Sequence, residues 1–177
     1  LQTLRDPSRR YGATLTLIDL GSLAVAGVGA LITDADAQVA RSARHILGEI
    51  GVPAFPFLWA AHSDTSDPAR REAAREIFHT MPTLAIKDEL VALLTSAQQE
   101  DISMALALLL ERLHDESLQP GHAGEMLPAL LEHVQTSGDE RTSQRILALL
   151  LLSGGSALVP ALIDALYSNP QGHEHLL

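Results

Sequence analysis

The sequence predicts an all-α fold, a stack of about five antiparallel helix pairs. Three observations carry this expectation. A pattern of capping, apolar and turn residues recurs about every 30 positions, and a period of that length marks stacked-unit architectures. Hydrophobic residues make up 46% of the chain but aromatics only 3%, with Leu and Ala dominant, which suits close helix packing better than strands. Glycine or proline falls at the point where each first helix should turn into a second.

The repeat is visible residue by residue. Asp6-Pro-Ser-Arg-Arg10 precedes Ala13, Leu17, Leu20 and Gly21, and Asp67-Pro-Ala-Arg-Arg71 precedes Ala74, Phe78, Met81 and Pro82, all at an offset of 61. Midway lies Asp36, followed by Ala43, Leu47, Ile50 and Gly51, each 30 positions after its counterpart in the first set. An Asp ahead of an apolar run caps the free N–H groups of a helix start. Pro7 and Pro68 fit a first turn that has no N–H to lose. The matched alanines let neighbouring helices approach, and the Leu, Phe and Ile positions form one buried stripe at helical spacing. Gly21 and Gly51 are expected in a left-handed conformation that ends the first helix.

The resulting units are about 4–32, 34–62, 64–95, 97–134 and 137–168. In the third, Pro82 replaces the turn glycine. The fourth is longer, with a first helix from Ile102 to Leu113 and an irregular connection over Asp115 to Gly124. The fifth runs from Arg141 to Leu152, turns at Gly154-Gly155 and continues over Ala157 to Leu166. Ser168-Asn-Pro-Gln171 is similar to the start of a further unit, Ser66-Asp-Pro-Ala69. With Leu1 in place of an initiator Met and no polar terminal cap, the expectation is one repeat domain belonging to a longer protein.

Two segments, Asp34-Ala-Asp-Ala-Gln-Val-Ala-Arg-Ser-Ala-Arg-His-Ile-Leu-Gly-Glu-Ile-Gly51 and Leu158-Val-Pro-Ala-Leu-Ile-Asp-Ala-Leu166, resemble HEAT-like repeats of the phycobilisome-lyase type. The family pattern places Asp at the turn, Val-Arg in the first helical turn, then Ala, Leu-Gly and Ile-Gly. Here Arg41 follows Val39 by two positions rather than one. The resemblance implies a right-handed α-α superhelix whose second helices line the concave side. That architecture hosts scaffolds, adaptors, chromophore lyases and a few DNA-repair glycosylases.

Composition removes several chemistries. Without cysteine, disulfides, thiolate metal sites and a Cys nucleophile are excluded. With 12 basic residues against 22 acidic ones, a net charge of −10 disfavours nucleic acid, whose binders carry a basic face. Leu15 to Ile32 holds a single charge, Asp19, over 18 residues. Its glycines and the Gly21-Ser22 turn make it two core helices rather than a membrane span. A cytoplasmic setting is the default expectation.

No catalytic constellation emerges. His45, His62 and His79 are 17 apart, off the repeat period, and neither His173-Glu-His175 nor any other spacing makes a zinc motif. No Ser sits in a G-x-S-x-G elbow. Gly154-Gly155-Ser156 lacks the spacing of a phosphate loop. The acid pairs Asp34/Asp36, Asp88/Glu89, Glu100/Asp101 and Asp115/Glu116 fall near helix starts or loops, where acids complement the helix dipole. No catalytic residue, cofactor or metal is expected.

Eight of the twelve basic residues are Arg5, Arg9, Arg10, Arg41, Arg44, Arg70, Arg71 and Arg75, and Arg10, Arg41 and Arg71 recur at steps of 31 and 30. In a stacked array they would line one edge, either packed and paired with acids of the neighbouring unit or open to an acidic segment or phosphate. Trp59 sits among Phe55 and Phe57, as a packing residue between units or an exposed anchor. The candidate partner-binding residues are therefore Arg10, Arg41, Arg44, Arg71, Arg75 and Trp59. The expected function is a non-catalytic scaffold for a protein partner or a flanking domain of the same chain, away from membranes. Nucleic-acid or phosphate binding through the Arg stripe is the alternative, and a lyase-like enzyme the third.

Overall fold

The computed structural model describes residues 1–96 and 98–114 and, beyond them, only 126, 128–130, 132, 144, 146, 148 and 160. The loop 115–124, most of the fifth unit, Gly154-Gly155-Ser156, Asp115/Glu116, His173-Glu-His175 and the 168–171 segment lie outside the described residues. Every described element is helical: α1 (Arg10–Leu20), α2 (Ser22–Gly29), α3 (Ala37–Ile50), α4 (Phe55–Ser63), α5 (Pro68–Thr80), α6 (Lys87–Leu94) and α7 (Gln99–His114), with 3-10 turns at Gln2–Arg5, Val52–Ala54 and Thr83–Ile86. No described helix is long and apolar enough to cross a membrane. The chain divides into two compact units, Leu1–Ile86 and Lys87–Leu177, so the third repeat inferred from sequence, 64–95, straddles their boundary.

The predicted turns fall where the glycines stand. Gly21 has φ 55° and ψ −127°, and Gly51 has φ 71° and ψ −132°. Both φ values are positive as expected, but ψ is that of a mirror-image extended strand rather than a left-handed helix. Only glycine reaches this region without strain. The same two torsions therefore recur 30 residues apart. At the end of α5, Met81 takes an extended conformation (φ −79°, ψ 131°) ahead of Pro82, as the proline ring demands of the residue before it.

Helix starts are fixed by aspartates in two ways. Asp36 accepts from the N–H groups of Gln38 (2.8 Å) and Val39 (3.4 Å), and Asp67 from that of Arg70 (2.9 Å). Both are the predicted N-caps of α3 and α5. Asp6 behaves differently from its sequence match Asp67. It accepts from the N–H of Ser8 at 2.9 Å, just as Asp34 accepts from Asp36 and Asp64 from Ser66. These three close tight turns ahead of their helices, and the N-cap of α1 is Arg9, whose side chain caps nothing.

These turns make stability acid-sensitive. The N–H of Asp36, then the Arg5 guanidinium, hold the Asp34 carboxyl below the ordinary aspartate value of 3.8. The Ser66 hydroxyl and N–H do the same for Asp64, and those of Ser8 for Asp6. A carboxyl depressed in the folded state stabilises fully above its unfolded value and loses that contribution as pH falls through its folded value. Urea midpoints are therefore expected to drop as pH is lowered through and below about 4, and less steeply in an Asp34→Asn, Asp64→Asn variant. Equal slopes in both proteins would refute this.

Within the first unit, α3 packs on α1 and α2, α5 packs on α3 and α4, and α2 touches α4. The apolar stripe is continuous from α3 onward: Ala43, Leu47, Ala74 and Phe78 are fully buried and Met81 is 2% exposed. The first unit departs from the expected core. Ala13 and Leu17 are half-buried, Leu20 is 47% exposed, and α1 buries no residue at all. The reason is positional. α3 packs on α1, and α5 on α3, whereas on α1 the Ala13 and Leu17 side lines an open groove beside the short Gln2–Arg5 turn.

In the second unit α6 packs on α7. Ser96 accepts from the Gln98 N–H and donates to Asp101, both at 3.1 Å, fixing the entry to α7. The buried stripe of α7 runs through Ile102, Ala105 and Leu109 and ends on a charged side chain, Arg112, only 1% exposed.

Candidate partner-binding cleft

The cleft arises because α3 and α5 are both amphipathic and meet through part of their surfaces. On α3, Val39, Ala43, Ile46 and Leu47 face the core, which leaves Arg41, Arg44, His45, Gly48 and Glu49 on the other side at spacings of three and four. On α5, Ala73, Ala74, Ile77 and Phe78 are buried, and Glu76 and Thr80 turn toward α3. Between them opens a cleft of about 580 Å³ that also reaches Gly51, Pro82 and Ala85. Gly48 sets how closely the helices approach beside it: a Cβ there would lie 2.8 Å from the Thr80 hydroxyl. That hydroxyl donates to the Ile77 carbonyl at 2.7 Å.

The charges are arranged along this cleft. Arg44 spans its floor, donating from Nε to the Ile32 carbonyl at 3.0 Å and pairing with the Glu76 carboxylate on α5. His45 Nδ1 lies 3.9 Å from Glu49 on the exposed side. Arg41 is exposed at the N-terminal end of the cleft, and among the described residues no acid pairs with it. The cleft thus runs from an unmatched guanidinium, past a neutralised pair, to a small and apolar end at Gly48, Gly51, Pro82 and Ala85.

Of the six candidates taken from the sequence, Arg41 and Arg44 line this cleft. Arg71 is exposed and 30 residues on from Arg41, but it does not line it. Five residues separate it from Glu76, which turns it about 140° round α5. Arg75 pairs with Glu72 on its own helix at 2.8 Å, and this guanidinium holds the Glu72 carboxyl below its ordinary range. Arg10 is half-buried and donates from Nε to the Leu4 carbonyl at 2.7 Å. Trp59 is half-buried in a ring cluster: parallel to Phe55 at 6.0 Å, edge-on to Phe78 at 6.2 Å and tilted against His62 at 6.0 Å.

Two ion pairs join residues distant in sequence: Arg5 with Asp34 at 2.6 Å and Arg44 with Glu76, with partners 29 and 32 residues apart. Both are solvent-accessible, so each is worth at most ~1 kcal/mol. Sequence reasoning overlooked Arg5 as a partner of Asp34, and Glu49 and Glu76 as cleft walls. The one signal for the latter was their helical register with Arg44 and Thr80. Arg70 lies over the Phe57 ring at 5.1 Å. Among the described residues no group of His, Asp or Glu is placed to hold a metal ion. The chain matches no family model, no curated protein and no solved structure.

Proposed function

We propose that this chain is a HEAT-like array, about five helix pairs in a right-handed stack, that acts as a non-catalytic scaffold. In this reading the cleft between α3 and α5 holds a segment of a partner protein. Support for the array comes from the recurrence of the Gly21 torsions at Gly51 and from the packing of α1, α3 and α5 in succession. The observation that carries the binding reading is Arg41, an exposed guanidinium with no acid beside it, at one end of a cleft whose other end is small and apolar. An acidic side chain on the partner would pair with Arg41, and an aliphatic one would settle near Pro82 and Ala85. An Arg–carboxylate hydrogen bond contributes about 1.5–3 kcal/mol.

Photo-crosslinking tests this. A benzophenone side chain at His45, on the cleft wall, is expected to capture a defined partner segment rich in acids from source-cell extract. Arg41→Glu should weaken binding of that segment at least tenfold with the helical far-UV spectrum unchanged. A captured segment that binds Arg41→Glu and wild type equally would refute the assignment, as would substrate turnover by the purified chain with no partner captured.

A further inference from the structure

We infer that the α3/α5 cleft holds acidic segments more tightly as pH falls from about 8 to about 6, with His45 as the group that takes up the proton. The inference rests on the reading of this cleft as a partner site and adds how that site is regulated. It stands on the charges fixed around the imidazole.

The charges lining the cleft cancel while His45 is neutral. Two guanidiniums, Arg41 and Arg44, stand against two carboxylates, Glu49 and Glu76, and His45 is the remaining titratable group among the described lining residues. Arg44 and Glu76 are paired with each other. What is left is a row along one stripe of α3 at spacings of four: Arg41, His45 and Glu49, neighbours about 6 Å apart at Cβ. The imidazole therefore stands one turn from the guanidinium that takes the partner's acid and one turn from a carboxylate that repels it. Besides α5, which supplies Glu76, the segments packed on α3 are α1, α2, Gln2–Arg5 and Val52–Ala54, and they bring no charged group to the cleft.

Glu49 gives a charged imidazole its partner. It lies in the last turn of α3, which holds no basic residue, and a carboxylate is disfavoured at that negative end of the helix. His45 Nδ1 is 3.9 Å from it, and both side chains are more than half exposed, 59% and 56%, so a proton can arrive without repacking. Histidine is the side chain whose charge ordinarily changes between about pH 5 and 8. Once charged, the imidazolium pairs with Glu49, and the cleft gains net positive charge one turn from Arg41. An acidic segment feels that gain, because its own carboxylates stay ionised down to about pH 5. By linkage, a ligand that favours the protonated form binds more tightly at the lower pH and draws in a proton as it binds.

Fluorescence anisotropy on the full chain tests this, with a rhodamine-labelled pool of ten-residue peptides random in Glu, Leu, Ser and Gly as the probe. Wild type is expected to bind the pool about fivefold more tightly at pH 6 than at pH 8. His45→Gln should bind equally at both, as weakly as wild type does at pH 8, and His45→Lys should bind tightly at both. Calorimetry in two buffers of different ionisation enthalpy should show proton uptake on binding by wild type near pH 6.5 and none by His45→Gln. His79 does not line the cleft, so His79→Gln should keep the whole pH effect. Far-UV circular dichroism checks that each variant is folded. Binding that is lost in Arg41→Glu but is the same at both pH values overturns this inference and leaves the partner site standing. So does a pH effect that survives in His45→Gln. A pool that binds wild type no better than Arg41→Glu at either pH removes both.

Discussion

Replacing Phe78 by alanine is expected to destabilise the Leu1–Ile86 unit by about 3–5 kcal/mol, a large fraction of what holds a domain of this size together. Phe78 is fully buried. Its ring is the point where α4 and α5 meet, tilted against Phe55 at 5.2 Å and edge-on to His62 at 6.0 Å and to Trp59 at 6.2 Å. Truncation leaves a void between two helices held apart by other side chains, so the surroundings collapse only in part. Trp59 is the chain's single tryptophan, and its fluorescence reports directly on this cluster. Chemical denaturation followed at that signal should show an earlier midpoint for Phe78→Ala and a smaller shift for Phe78→Leu. An unshifted midpoint for the alanine variant would show that the rings contribute little to the unit's core.

Arg112→Ala is expected to be about as damaging to the second unit, on the order of 3–5 kcal/mol. The side chain is 1% exposed, and neighbouring groups engage it. Removing it empties the volume of its buried side chain and takes away the interactions it makes. Arg112→Met refills the volume but restores no hydrogen bond, so it should recover only part of the loss. Thermal melts of the three proteins by circular dichroism separate the contributions. Met equal to wild type would mean the charge is dispensable, and Ala equal to wild type would remove Arg112 from the core altogether.

How much of this molecule could be read from its sequence depended on whether the relevant physics was local. Gly21 and Gly51 were legible as turns because positive φ excludes other residues whatever the surroundings. Asp36 and Asp67 were legible as caps because their acceptors serve N–H groups two or three residues on. Periodicity correctly joined Ala43 to Leu47 and Ala74 to Phe78, but it could not show that the same stripe on α1 is only half-buried. Spacing tells which residues share a face, and only a neighbouring element decides whether that face is covered. The arginines illustrate the same limit. Their recurrence at steps near 30 was plain, yet Arg10 turned to a backbone carbonyl, Arg75 to an acid on its own helix, and only Arg41 and Arg44 reached a common cleft. Arg112 was missed because a charged residue in an apolar stripe reads as an interruption.

The double grip of Arg44 bears on how quickly the molecule assembles. Its bond to the Ile32 carbonyl closes a span of 12 residues and its bond to Glu76 one of 32, while Arg5 and Asp34 close one of 29. The entropy of closing a loop grows only with the logarithm of its length, about 0.6 kcal/mol per doubling. Each of these links joins segments within about 30 residues of one another, so none needs a search by distant parts of the chain. Chains built from such short-range links fall among the fast folders, and growth from the ribosome can keep pace with synthesis one hairpin at a time.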